Sequence, residues 1–286
     1  MQVIEAVQLN GKMNALTIDV EDWFQVANLK GLIRYEDWDK CESRVERNVG
    51  RILRLLSIMN VKATFFILGW IAEKKPDMIK LIHDQGHELA IHGYSHRSVN
   101  ELTPDEFREE IEKTRDILER LTGQKALGFR APNYSIIPNT IWACEILAQV
   151  GMKYDSSIFP VKHDRYGFLG APRFPFVIDL KEHGRLIEFP MSTIRLCGSN
   201  IPVAGGAYLR LYPYWFIRGA IKMLNKSAKP AIIYLHPWEI DVNQPRMKLN
   251  FKTKIRHYGN LLMTENKLFK LLTEFEFGSV REVLGL

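Results

Sequence analysis

ALTIDVED (residues 15–22) runs from an apolar stretch into three carboxylates, Asp19, Glu21 and Asp22. A strand with one wet face alternates apolar and polar residues, whereas a run that stays apolar suits a parallel strand covered on both faces. The same construction recurs in ATFFIL (63–68), ELAIHGYSH (88–96), ALGFRAP (126–132), KYDSS (153–157), RLIEFPMS (185–192) and AIIYLHP (231–237), seven strand candidates in all. Between the early ones lie helical patterns: SRVERNVGRILRLLSIMN (43–60), PDMIKLIHDQG (76–86), TPDEFREEIEKTRDILERL (103–121) and IPNTIWACEILAQVG (137–151). Thr103 reads as an N-cap with Pro104 at the first helical position and Glu106 completing a capping box, while Leu102 and Phe107 are spaced as a hydrophobic staple. A last helix is expected before residue 275. The order is βαβα, and seven or eight such units in this length favour a closed barrel over an open doubly wound sheet. No GxGxxG follows the first strand, so a dinucleotide fold has no support.

The chain has 286 residues, 46% of them hydrophobic and 25% charged, with a mean hydropathy of −0.15. That composition excludes disorder and supplies a full core. No linker, low-complexity tract or short-period repeat divides it, so one domain over residues 1–286, with its core at about 13–275, is the simplest reading. Cys41, Cys144 and Cys197 are odd in number and widely spaced, which points to buried thiols and not to disulfides or a zinc knuckle. The N-terminus has no basic stretch leading into an apolar run and no spanning segment is present, so a cytoplasmic location is expected. Net charge is +6, but the basic residues form neither one block nor a nucleic-acid motif, and no nucleic acid is expected as partner. LRLYPYWFIRGAIKMLNKSAK (209–229) mixes bases and aromatics most densely; it reads as a core-facing amphipathic helix in preference to a membrane-surface one.

The ionisable residues fall at strand ends. Asp19, Glu21 and Asp22 follow ALTI, His92 and His96 follow ELAI, Arg130 follows ALGF, Asp155 follows KY and His236 follows AIIYL. Each alone has a structural explanation, such as an N-cap for Asp22, a satisfied core histidine for His92 or a salt bridge for Arg130. In a parallel barrel, however, the C-terminal strand ends share one rim, and so many ionisable groups on that rim make an active site. His92, His96 and a carboxylate of the DVED segment form an N,N,O set for a divalent metal. A metal so held would serve hydrolysis of an amide or ester, with a second carboxylate as base and His236 as acid. Arg130 is placed to orient the base, and Asp155 to hold a histidine tautomer.

LTIDVED, HGYSH, FRAP, YDSS and YLHPWEID, in this order, resemble the five motifs of the polysaccharide deacetylases, carbohydrate esterase family 4, and most closely a subgroup associated with exopolysaccharide and exosortase clusters. The resemblance covers about residues 13–240 and implies a distorted (β/α) barrel that removes N-acetyl groups from sugars with a bound metal, commonly Zn²⁺, with Co²⁺ or Mn²⁺ as substitutes. It implies Asp19 as general base, His92 and His96 as ligands, Arg130 as the group orienting Asp19, His236 as general acid and Asp155 as its support. The resemblance further implies the backbone N–H of Asn133 at the oxyanion position and Tyr134 and Trp238 as lining of the sugar pocket. The family's usual adjacent aspartates are interrupted by Val20, leaving Glu21 or Asp22 as the third ligand: the spacing favours the former, the residue type the latter. YDSS also lacks the family's usual tryptophan. A cytoplasmic enzyme would meet an N-acetylated saccharide precursor, nucleotide- or lipid-linked, with peripheral contact to the inner membrane. Two other readings use the same barrel: hydrolysis of a cyclic amide such as allantoin, and a carbohydrate-binding or scaffolding protein without turnover.

Overall fold

A computed structural model of the chain describes residues 2–7, 9, 13–163 and 166–286. All seven expected strands form. In chain order the strands are β1 (Gln2–Ala6), β2 (Asn14–Val20), β3 (Thr64–Ile67), β4 (Glu88–Ile91), β5 (Gly128–Phe129), β6 (Tyr154–Asp155), β7 (Phe176–Asp179), β8 (Arg185–Glu188), β9 (Thr193–Leu196), β10 (Ser199–Pro202), β11 (Ile232–Leu235) and β12 (Phe277–Gly278). The helices are α1 (Val45–Met59), α2 (Gly69–Lys74), α3 (Pro76–Asp84), α4 (Pro104–Thr122), α5 (Ala143–Gln149), α6 (Ala207–Leu211), α7 (Tyr214–Lys226), α8 (Phe251–Tyr258), α9 (Leu261–Glu274) and α10 (Val280–Leu284).

The sheet runs β1-β7-β8-β6-β5-β4-β3-β2-β11, with β12 beside the start of β2. Every neighbour from β8 through β11 is parallel, as the apolar runs require, and only β7 and β1 pair antiparallel. The barrel is distorted because, among the described residues, no regular strand joins β8 to β11. Residues 189–206 span that gap instead: Met191 N–H donates to Ile158, Val203 to Ser192, and Tyr234 and Gly206 exchange bonds with Ala204 and Tyr234 carbonyls. The expected strands missed five: β1 and the two-residue β12 near the termini, and β7 and the β9–β10 hairpin, whose Gly- and Pro-rich surroundings break the apolar pattern.

Side-chain alternation sorts the strands' residues into two cores. On β2, Leu16, Ile18 and Val20 pack outward against the helices, whereas Ala15 faces inward with Phe66, Ala90, Tyr154, Phe189 and Tyr234. α1 covers the outside with Val49, Ile52, Leu53 and Leu56, each worth about 1.5–3 kcal/mol when withdrawn from water. α4 begins as expected, with Thr103 accepting from the Glu106 N–H and Pro104 at the first position, a cap worth ~1 kcal/mol. Segment 209–229 departs from the single helix expected: Tyr212 is extended ahead of Pro213, which lacks a donor N–H, and the stretch divides into α6 and α7. α7 does bury Ile217, Ala220, Ile221 and Leu224, yet Trp215 remains 71% exposed. Of the three thiols only Cys144 is buried; Cys41 is half-buried and Cys197 exposed.

Candidate active site

The inward parity of β2 continues past its end, so Asp19 and Glu21 point into the barrel and Asp22 points out. Asp22 Oδ2 accepts from the Ser43 hydroxyl (2.8 Å) and from the N–H groups of Arg44 (2.8 Å) and Val45 (3.1 Å), the start of α1. Asp22 is not the N-cap residue of α1, which is Arg44, but holds that helix start from a distance in sequence; it is not among the three residues whose donor atoms converge, which corrects its candidacy as a ligand. Burial pushes its carboxyl up against the pull of those donors.

Glu21 Oε1 lies 2.9 Å from His96 Nε2 and 3.3 Å from His92 Nε2. One donor atom from each of the three residues falls within 4.8 Å of the others, and all three are buried. The HGYSH loop brings this about by turning back on itself, with Gly93 and His96 both left-handed at φ +71° and +57°. Gly93 carries that conformation without a Cβ, whereas His96 holds it at a cost that tertiary contacts must offset. His92 Nδ1 sits 2.7 Å from the Arg130 carbonyl, which fixes the proton there and turns Nε2 toward Glu21. Burial opposes the charge of Glu21, but His96, His236 and His92 hold its carboxyl well below the usual range.

Arg130 is fully buried, and its guanidinium is satisfied on every side. Nη1 donates to Asp19 Oδ1 (2.5 Å) and Thr17 Oγ1 (2.8 Å), and Nε and Nη2 to the Ser156 carbonyl and hydroxyl (both 3.0 Å). Its plane lies 4.1 Å from the Phe66 ring centroid. Tyr134 OH reaches Asp19 Oδ2 at 3.5 Å. His236 Nε2 is 3.9 Å from Asp19 Oδ2 and 3.7 Å from Glu21 Oε1, so β11 delivers its imidazole to the same point as β2 and β4.

Asp155 does not reach His236. Tyr154 faces the barrel interior, so Asp155 faces the other side, where Ser157 Oγ donates to it at 2.5 Å and buried Glu188 lies against it. Burial raises both carboxyls, and that of Glu188 is raised further by the neighbouring Asp155. The support of His236 comes instead from Glu239, whose Oε2 sits 2.9 Å from Nδ1 and whose Oε1 accepts from Arg210 Nε at 2.6 Å. Burial would depress His236, but Glu21, Glu239 and Asp19 outweigh it and hold the imidazole up at about 9. Burial likewise works against the charge of Glu239, and Arg210 and His236 bring it down to about 2. The signal for Glu239 is legible in HPWE: Pro237 at the first helical position and an acid three residues after His236 form a capping box. Arg210 has no such signal, since it arrives from 29 residues upstream.

The site opens into a cavity of about 580 Å³ bounded by Asn133, Tyr134, Tyr166, Tyr208, Tyr234 and Trp238. Trp238 stacks on His236 at 5.3 Å and on buried His257 at 4.6 Å. Beyond His96 a second cavity, about 610 Å³, is walled by Tyr35, Trp38 and Tyr94, and Asn133 borders both. Asn133 and Tyr134 are left-handed, at φ +59° and +54°, and the Asn133 amide donates to Ser98 Oγ at 2.9 Å.

Comparison with known proteins places this geometry in a family context. The family model described as polysaccharide deacetylase matches residues 33–154, and one described as a domain of unknown function (DUF3473) matches residues 156–285. A peptidoglycan-N-acetylglucosamine deacetylase of Bacillus cereus is 44% identical over 96 residues, which is 33% of this chain and 35% of that protein. The chain thus spans about a third of the length of the curated relatives it matches. Among solved structures, a provisionally named polysaccharide deacetylase from Mycobacterium smegmatis superposes with a TM-score of 0.65 at 18% identity, covering 99% of this chain and 93% of that one. A carbohydrate esterase family 4 pseudoenzyme from Bacillus anthracis superposes at 0.51 with 20% identity, covering 96% and 66%. At these identities the likeness is one of fold. His92, His96 and Arg130 lie within the first matched segment and Arg210, His236 and Glu239 within the second, so both contribute to one cleft. Residues 33–154 are thus similar to the polysaccharide deacetylase family and residues 156–285 to DUF3473, and the two matched segments face each other across one cleft.

Proposed function

We propose that the chain hydrolyses the N-acetyl group of an amino sugar, in a polysaccharide or its precursor, with a divalent metal held by Glu21, His92 and His96. The observation that carries this reading is the convergence of those three donors, with His92 oriented by the Arg130 carbonyl. Two imidazoles and a carboxylate with open positions suit Zn²⁺, and Co²⁺ or Mn²⁺ as substitutes. Such an ion would polarise the acetamide carbonyl and acidify a water molecule. Asp19, held by Arg130 on one oxygen, takes the proton of the attacking water through the other. His236, held in its charged form between carboxylates, donates a proton to the departing nitrogen. The C–N bond breaks, the nitrogen leaves as a free amine, and the water oxygen remains on acetate. Glu239 and Arg210 keep His236 oriented and charged. The Asn133 main chain, Tyr134 and Trp238 border the space where the acetyl group and sugar would lie. Tyrosine faces on the cavity wall suit the apolar faces of sugar rings, and room on either side of the site suits a saccharide longer than one unit.

Acetate release from N-acetylglucosamine oligomers tests the assignment of base and acid. Asp19→Asn and His236→Ala should each lose about 10²–10⁴-fold in kcat while still binding one metal per chain. Undiminished release by either variant would remove that residue from the chemistry.

A further inference from the structure

The charge of the chain is unevenly placed. Residues 189–264 carry eleven Lys and Arg against two acids, a net +9, which leaves the remainder of the +6 chain at −3. Those two acids, Glu239 and Asp241, are 1% and 2% exposed and are already paired, with Arg210 and with Arg44 and Arg47. Glu274, from outside this stretch, pairs with Arg218 on α7, and the remaining exposed bases leave the surface cationic in net. Within it, residues 246–264 hold Arg246, Lys248, Lys252, Lys254 and Arg256 and no carboxylate.

The same region exposes large apolar side chains at the mouth of the cleft. On α8, Phe251 and Ile255, one turn apart, are 77% and 43% exposed and border the cavity together with Leu211, itself 39% exposed. A file of rings leads outward from the cleft: Tyr208 to Tyr212 at 5.9 Å, Tyr212 to Phe216 at 5.1 Å, and Phe216 to Trp215 at 5.9 Å. Trp215 ends that file in solvent on α7, a helix that also exposes Lys222, Met223 and Lys226. Arg210 and Lys267 tie these elements together, Arg210 donating to the carbonyls of Arg256 and Gly259, and Lys267 to those of Leu209, Arg210 and Tyr212. The rim is thus a built part of the fold.

Exposed lysines alone would suit any polyanion. Trp215 and Phe251 standing among them, with Met223, Ile255 and Leu211 also exposed, add aliphatic and aromatic surface that at a bilayer interface buries while the ammonium groups meet phosphate. We propose that this rim docks on an anionic phospholipid surface, which would hold the cleft over a saccharide carried on a lipid. The docking stands independently of the deacetylase reading; the nature of the saccharide rests on it.

Sedimentation of the whole chain with phosphatidylglycerol/phosphatidylcholine vesicles tests the docking without any turnover. Binding is expected at low salt, weakening as salt rises, and absent with phosphatidylcholine alone. Lys248→Glu with Lys254→Glu, neither of which lines the cleft, should weaken it by about 25-fold at ~1 kcal/mol per lysine. Trp215→Ala should weaken it at unchanged circular dichroism. Failure to bind anionic vesicles at low salt, or binding untouched by both variants, would overturn the proposal. So would a self-associated dimer that Trp215→Ala dissociates, since the rim would then cover a second copy. Loss of acetate release with vesicle binding intact would count against the deacetylase reading alone.

Discussion

The two walls of the cleft are built differently. The wall of Asp19, Glu21, His92, His96 and Arg130 stands on adjacent parallel strands, β2, β4 and β5, joined through β3 by continuous registers such as Thr17 with Thr64 and Ile67 with Ile91. The facing wall of His236, Glu239 and Arg210 stands on one strand, one turn of 3-10 helix and a short helix, beside the gap in the barrel. On the first wall, orientation follows from strand parity; on the second, it depends on a chain of ion pairs. On the proposed assignment, the strand-built half would hold the ion and the half held by buried charges would manage the proton.

That contrast can be broken most severely at the rigid wall. Glu21→Gln or His92→Ala should abolish stoichiometric metal binding and lower acetate release by about 10³-fold, several kcal/mol at 1.36 kcal/mol per decade. Metal retained at full stoichiometry in both would separate the triad from the ion. On the second wall, Glu239→Gln should lower kcat by about 10–100-fold with metal content unchanged, and Glu239→Asp should recover part of it. Asp155→Asn should leave kcat near that of the parent protein. If the two results were exchanged, Asp155 and not Glu239 would support the acid.

A smaller effect should appear with acid. Burial lowers His257 from 6.5 to about 3. The unfolded chain therefore takes up a proton below pH 6.5 that the folded chain refuses, and stability falls as pH drops through that window. The cost at pH 5 relative to pH 7.5 is ~2 kcal/mol, and His257→Gln should remove that part of the slope in urea melts. A slope unchanged by the substitution would place the acid sensitivity elsewhere. The least effect belongs to Asp22→Asn, which should keep the metal and lose ~1 kcal/mol of stability through the α1 start. Loss of metal in that variant would reverse the distinction between Asp22 and Glu21.

Much of the first wall was legible in the sequence, because apolar runs ending in ionisable residues announce strand ends on a common rim. Two ambiguities there could have been removed by counting in steps of two. From Asp19 inward, Glu21 shares its side and Asp22 does not; from Tyr154 inward, Asp155 falls on the helix side with Glu188. The second wall was less legible for physical reasons. Glu239 carried a local sign, its capping relation to His236, whereas Arg210 meets Glu239 through tertiary packing that no short pattern encodes. The division of 209–229 at Pro213 was visible in principle, since a proline within a helical pattern marks a break. The cationic character of residues 189–264 lay in missing acids more than in clustered bases, and a search for basic blocks passes over it.

The most direct test of the account is to strip the protein of metal, confirm the loss, and measure acetate release from N-acetylated saccharides before and after one equivalent of Zn²⁺ per chain. The account predicts no release from the stripped protein and release restored as Zn²⁺ binds through Glu21, His92 and His96. Equal release with and without metal, or one bound Zn²⁺ per chain with no acetate from N-acetylglucosamine oligomers or lipid-linked N-acetylated saccharide, would contradict it.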